Sequence, residues 1–303
     1  MELIAFQNPY PFLALAIAFT VGAVLGSFLN VVVYRLPKMM QREWHDQAIE
    51  IIEEVDKDAE LSQRLRQRID ESAGPFNLSV PSSSCPNCSA RIRPRHNIPI
   101  ISWFTLWGRC ADCDNPISPR YPSVEFATAV LTMLVISQFG ITLEGITACC
   151  LTWALIALAL IDFDTQLLPD DITLLFLWLG LIANSANLFV SLEDAFLGAI
   201  VGYMSLWTIY QLFKLVTGKE GMGFGDFKML AMLGAWLGLA AIPLIIIISS
   251  FSGALIGCLL ILFGRNREKP IQYGPFLAIA GWIALMWKDE LTNLYLELAF
   301  RSV

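Results

Sequence analysis

The sequence predicts an all-α polytopic membrane protein of about eight transmembrane helices, with one extramembrane domain inserted between helices 1 and 2. Three observations lead there. Of 303 residues, 56% are hydrophobic and only 16% are charged, against about 25% charged in an average soluble protein. Mean hydropathy is +0.59. The apolar residues are gathered into long runs, broken by one polar block at 35–121. This composition excludes a disordered chain, a coiled coil and a charged nucleic-acid binder, and it leaves too little polar side chain to coat a soluble enzyme. Membrane lipid is the expected surrounding, and nucleic acid is not an expected partner.

A helix needs about 20 apolar residues to cross a bilayer. Eight segments are candidates, at roughly 11–34, 123–140, 145–162, 171–190, 195–216, 226–239, 241–263 and 274–296. The first has no Lys or Arg before it and Arg35 after it, so it reads as a retained helix with its N-terminus outside rather than a cleaved signal. The sixth is short, and only a turn around Pro243 separates it from the seventh. With the N-terminus outside, the inside segments 35–122, 163–170, 214–228 and 264–273 hold 18 of the 20 basic residues. Lys288 and Arg301 fall outside. The loop 35–122 is too long for the positive-inside rule to count, but the two short basic segments, 214–228 and 264–273, follow it.

The chain therefore divides into a first transmembrane helix at 1–34, a cytosolic domain at 35–122 and a membrane domain at 123–303. Residues 35–121 are neutral, with 12 basic and 12 acidic residues; the remaining 8 basic and 15 acidic residues carry the whole net charge of −7. Within the cytosolic domain, 41–71 is rich in helix formers. Ile52, Val55 and Ala59, then Leu61, Leu65 and Ile69, recur at three- and four-residue steps, as an amphipathic helix requires.

Four of the seven cysteines form two C-x-x-C knuckles, Cys85-Pro-Asn-Cys88 and Cys110-Ala-Asp-Cys113, with 21 residues between them. Each knuckle turns tightly enough to aim two thiolates at one ion, and two knuckles close a tetrahedral site. A cytosolic location argues against two disulfides, because thiols stay reduced there. Four thiolates leave no open position for catalysis. The reading is one structural Zn2+ per chain, so the inserted domain is a small cytosolic zinc-binding domain around 85–113. Cys149, Cys150 and Cys258 lie in apolar runs and read as small buried hydrophobes. His45 and His96 are isolated and read as ordinary structural histidines.

Acidic residues at the end of a membrane helix are functional suspects. The third run ends IDFDTQLLPDD, with Asp162, Asp164, Asp170 and Asp171; the sixth begins GFGDFK, with Asp226. The topology puts Asp162 and Asp226 on the same side of the membrane. Two carboxylates brought close together do not both ionise easily, so one keeps its proton. That split suits an aspartic protease, in which one carboxylate deprotonates a water and the other polarises a peptide carbonyl. A proton- or ion-transport pair is the competing reading, and a non-enzymatic membrane scaffold displaying the zinc module is a third. Asp170 and Asp171 follow Pro169 and read as caps of the next helix. The Gly-rich stretch 218–223 follows no strand and is not a nucleotide loop.

Several motifs in a fixed order then carry a resemblance over nearly the whole chain: GSFLNVVVYRLP at 26–37, CPNCSARIRPRHNIPIISWFTLWGRCADC at 85–113, SPRYPSVE at 118–125, IDFDTQLLPDDITL at 161–174 and GFGDFK at 223–228. Together they resemble the type IV prepilin peptidase family, the bifunctional leader peptidase/N-methyltransferases of type IV pilus and type II secretion systems. The resemblance implies an inner-membrane aspartic endopeptidase whose catalytic pair falls on Asp162 and Asp226, with Asp164 as the rival for the first position. It implies zinc on Cys85, Cys88, Cys110 and Cys113. The implied substrates are type IV prepilins and pseudopilins, cut on the cytosolic side after the Gly that ends a basic leader. The implied second activity methylates the new N-terminal amine from S-adenosylmethionine. No residues for the methyl donor are legible; Glu125 and the Gly108-Arg109 pair are the guesses for that step.

Overall fold

The computed structural model describes residues 11–55, 74–263 and 272–300. Among them, nine α-helices follow in order: α1 Pro11–Val55, α2 Ile101–Thr105, α3 Arg120–Phe139, α4 Leu143–Thr165, α5 Asp170–Ser185, α6 Leu192–Thr217, α7 Phe224–Leu237, α8 Ala241–Leu262 and α9 Gly274–Phe300. A 3-10 turn at Pro94–His96 and two isolated β-bridges complete the described structure. The chain forms two compact units, one of Ala23–Ala127 and the other of Met1–Gly22 with Thr128–Val303.

Five helices, α1, α3, α4, α6 and α8, are long and apolar enough to cross a membrane. For α8 the mean hydropathy of the best window is 2.6, yet only 17% of that window is buried within the protein. Such a surface has no stable place in water and suits lipid. The other expected spans, 171–190, 226–239 and 274–296, do form helices. However, α5 has 16 residues, α7 has 14, and α9 is interrupted at Trp287, where φ is −138°.

The short α7 is the axis of the larger unit. Residues 226–238 are all buried except for partly buried Lys228. At 1.5 Å per residue it is about 21 Å long, short of the roughly 30 Å hydrocarbon layer. Helices α5, α6, α8 and α9 all pack on it. Glycines set the closest approach. A Cβ at Gly202 of α6 would lie 2.7 Å from the Leu230 carbonyl oxygen, and Gly198 and Gly234 meet backbone to backbone. Gly198 and Gly202 form a G-x-x-x-G pair, the spacing that lets helix backbones meet. At the far end, buried Asn184 donates to the carbonyls of Ala235 (2.8 Å) and Trp236 (3.0 Å) and accepts from Phe189 and Val190 N–H. These bonds satisfy carbonyls that the last turn of α7 leaves open.

In the smaller unit, α1 does not stop at residue 34. It runs on through Pro37 to Val55, which continues the predicted 41–71 helix as far as 55. The remainder of that prediction lies outside the described residues. Arg35, read from the sequence as a topology charge, is buried. Its guanidinium donates to the carbonyls of Asn77 (2.9 Å) and Pro81 (2.6 Å) and lies over Phe76. Among the apolar-run cysteines, Cys149 is buried and Cys150 half-buried, but Cys258 is exposed on α8. The expected burial fails for Cys258 because this helix turns most of its surface outward.

Candidate active site and metal centre

Asp162 lies in the last turn of α4. The helix ends just after it, with Gln166 in the left-handed region (φ 58°) and its N–H on the Asp162 carbonyl at 2.8 Å. Asp226 is the third residue of α7, one turn after Gly223 opens that helix. Both side chains are buried, at 6% and 8% exposure; among the described residues Glu125 is the one other buried carboxylate. They stand close enough for their charges to interact. Asp162 Oδ2 accepts the N–H of Gly274, at the start of α9, at 3.0 Å. Three elements far apart in sequence thus converge on one buried acidic spot: the end of α4 and the starts of α7 and α9.

The neighbouring acids separate by burial. Asp164 is exposed, as is Phe163. Asp170 and Asp171 stand in the first turn of α5 but make no side-chain cap; the cap position is Pro169, whose carbonyl takes the Ile172 and Thr173 N–H. Asp170 instead receives Lys228 Nζ at 2.7 and 2.8 Å. The expected cap fails because Pro169 takes the cap position and both acids fall inside the first turn, where they still complement the helix dipole. This ion pair joins the IDFDTQLLPDD and GFGDFK words, and sequence reasoning missed it. The signal was present as a lone Lys two residues after Asp226, in a run with no other charge than that Asp.

The two glycines before Asp226 differ. A Cβ at Gly225 would lie 2.7 Å from Leu168 Cβ, so glycine there lets the 166–169 loop close on α7. At Gly223 a Cβ meets only Asp226 Oδ2, at 3.9 Å. On the other flank, Tyr203, Tyr210, Phe224 and Phe227 form an aromatic cluster with ring centroids 5.4–5.9 Å apart. These rings fix the first turn of α7 against α6.

The four predicted cysteines do come together. Their sulfurs all lie within 4.8 Å of one another, and Cys85 Sγ is 3.8 Å from Cys113 Sγ. Four thiolates at about 2.3 Å from one tetrahedral ion stand about 3.8 Å apart. The donor set therefore fits a closed metal site. Each knuckle is built the same way. Ser89 N–H reaches the Cys85 carbonyl and Cys85 N–H the Ala90 carbonyl; Asp114 N–H reaches the Cys110 carbonyl and Cys110 N–H the Asn115 carbonyl. Ser89 and Asp114 share φ 57°. The N–H groups of Cys88 and Asn87 hold the Cys85 thiol down at about 6. For Cys88 the Ala90 N–H favours the thiolate, but burial and the facing thiols outweigh it and push it up to about 12.

The methyl-step guesses fall in the same unit and are engaged structurally. Gly108 (φ 66°) packs under Trp103, where a Cβ would lie 2.9 Å from the ring. Glu125 is buried and accepts the N–H of Ile100 at 2.6 Å. His45 is exposed and His96 half-buried.

Residues 20–139 match the Bacterial Peptidase A24 N-terminal domain, and residues 149–258 match the Type IV leader peptidase family. The chain belongs to that family of bacterial membrane peptidases. Similar relatives carry the name prepilin leader peptidase/N-methyltransferase. The Pseudomonas aeruginosa relative is 48% identical over 301 residues, 99% of each chain. That of Stutzerimonas stutzeri is 49% identical over 97% of this chain and 96% of its own, and that of Aeromonas hydrophila 46% over 97% and 98%. No solved structure matches the chain significantly.

Proposed function

We propose that this protein is a bifunctional membrane enzyme that cleaves the leader of type IV prepilins and pseudopilins and then N-methylates the new terminus. The observation that carries the peptidase reading is the convergence of Asp162 and Asp226, both buried and within reach of each other's charge, from the ends of two helices. One carboxylate keeps its proton and polarises the scissile carbonyl; the other takes a proton from the attacking water. The tetrahedral intermediate then collapses with proton transfer to the departing amine. The 162–171 segment contains no Lys or Arg and four Asp, which suits a basic leader.

Around that site the reading places an inner-membrane protein with its N-terminus outside and about eight membrane helices. The domain at 35–122 and the active site face the cytosol, and the peptidase domain is 123–303. Cys85, Cys88, Cys110 and Cys113 would hold one Zn2+, which ties the two knuckles together and has no catalytic position. S-adenosylmethionine supplies the methyl group; this part rests on the names of the relatives.

The test uses purified enzyme and a prepilin, with and without S-adenosylmethionine, read by intact mass. Cleavage and a further methyl increment are expected with the cofactor, and cleavage alone without it. Asp162→Asn and Asp226→Asn should each abolish cleavage while the protein still folds and inserts. Full cleavage by either variant overturns the assignment.

A further inference from the structure

Asp162 is not held by its own helix. Its partner is the backbone of Gly274, 112 residues downstream. The N–H of Gly274 belongs to the first turn of α9, where no helical carbonyl is available to it, and the following Pro275 has no N–H. Gly274 is buried. A Cβ at this position would lie 2.7 Å from Asp162 Oδ2 and 3.0 Å from its Cγ. Only glycine lets the N–H reach the carboxylate without pushing it aside.

The residue before it is anchored in turn. The Tyr273 hydroxyl lies 2.6 Å from Ser249 Oγ and 3.2 Å from Ser250 Oγ, both on α8. Ser249 is fully buried and its Oγ donates to the Ile245 carbonyl at 2.7 Å. The Tyr273 and Ser249 hydroxyls share a hydrogen bond. The Tyr273 carbonyl accepts the Phe276 and Leu277 N–H, each at 3.1 Å. The Tyr273-Gly274 peptide is therefore fixed by α8 at the side chain and by α9 at the carbonyl.

We infer that Tyr273 and Gly274 are positioning residues for the peptidase reaction: the Gly274 N–H, held in place through the Tyr273 hydroxyl on Ser249, occupies Asp162 Oδ2 and aims Oδ1 at the attacking water. This rests on the reading of Asp162 and Asp226 as the catalytic pair. The reacting geometry of a bound water tolerates little error, and a misplacement of about 1 Å costs on the order of 100-fold in rate. The chain Ser249–Tyr273–Gly274–Asp162 reduces that freedom without touching the substrate, so its loss should appear in kcat and not in KM.

The experiment compares steady-state cleavage of a prepilin by the full-length enzyme and five variants: Asp162→Asn, Gly274→Ala, Tyr273→Phe, Ser249→Ala and the Tyr273→Phe/Ser249→Ala pair. Thermal unfolding and zinc content report folding. Gly274→Ala should lower kcat by about 100-fold with KM within about twofold. Tyr273→Phe and Ser249→Ala should each lower kcat by about tenfold, the size of one hydrogen bond. The pair should lose no more than Tyr273→Phe alone, because that change already removes the hydroxyl that Ser249 meets. If Gly274→Ala fails to fold, the two milder variants decide. Wild-type kcat in Tyr273→Phe and Ser249→Ala, or losses in KM alone, overturns the inference while an inactive Asp162→Asn leaves the catalytic pair standing. Normal cleavage by Asp162→Asn removes the catalytic pair and this inference together.

Discussion

At the scale of single residues, burial sorts acids that the sequence presents as near equals. Asp162 and Asp164 are two positions apart in one word, IDFD, but a helix turns about 200° over two residues. Asp162 therefore enters the interior and Asp164 the surface. Asp164→Asn is expected to keep most of its cleavage activity, since that carboxylate lies on the surface and outside the buried pair. The same assay that finds Asp162→Asn inactive checks this. Asn184 is a second decisive residue. Its amide answers two carbonyls of α7 and two N–H groups after α5. Asn184→Leu fills the space but leaves those groups unpartnered, and should destabilise by about 1–3 kcal/mol. Thermal unfolding in detergent reports the loss.

At the scale of elements, the site depends on how α5, α6 and α7 meet. The Asp170–Lys228 pair ties the first turn of α5 to the second turn of α7, with the two side chains 52% and 31% exposed. Solvent screening keeps its effect on global stability below about 1 kcal/mol. Its local effect is larger, because Lys228 is two residues from Asp226. Lys228→Met is expected to leave the melting midpoint within a few degrees and to reduce cleavage by about tenfold. Unchanged cleavage would assign the pair to stability alone. Gly225→Val should act in the same place by pushing Leu168 off α7, lowering cleavage more than stability. Gly202→Val differs: its side chain would meet the Leu230 backbone. Overpacking of this kind costs about 1–3 kcal/mol, so the whole α6–α7 contact should weaken, visible as a lower unfolding temperature.

At the scale of the whole molecule, two chemistries are carried by separate parts of the chain. The acidic pair belongs to the larger unit and the cysteine cluster to the smaller. One zinc per chain is expected, lost on Cys85→Ser, while Asp162→Asn keeps its zinc; metal analysis of purified protein decides both. Thiolates bind metal and thiols do not, so rebinding of zinc to stripped protein should weaken as pH falls, and more steeply below about 6, where Cys85 also takes up a proton. Cys88, held near 12, carries its proton at neutral pH and must release it on binding. A pH indicator should therefore register proton release when zinc is added. Absence of that release would contradict thiolate ligation.

Composition and hydropathy were enough to read an all-helical membrane chain, because burying apolar side chains in lipid needs no long-range information. The knuckles were equally legible, since each is a local turn and the ligand spacing is written in four residues. Asp162 and Asp226 stood out as acids at helix ends. The sequence did not reveal that α7 is a short inner helix surrounded by its neighbours: a 14-residue apolar run looks the same whether lipid or protein surrounds it. It did not reveal that Arg35 is a buried anchor, that Asp170 faces Lys228, or that a glycine 112 residues away holds Asp162. These contacts join helices brought together only by packing, and they run through backbone groups that leave little mark on residue type. The sequence determined which chemistry the protein carries; the tertiary structure decided which groups hold that chemistry in place.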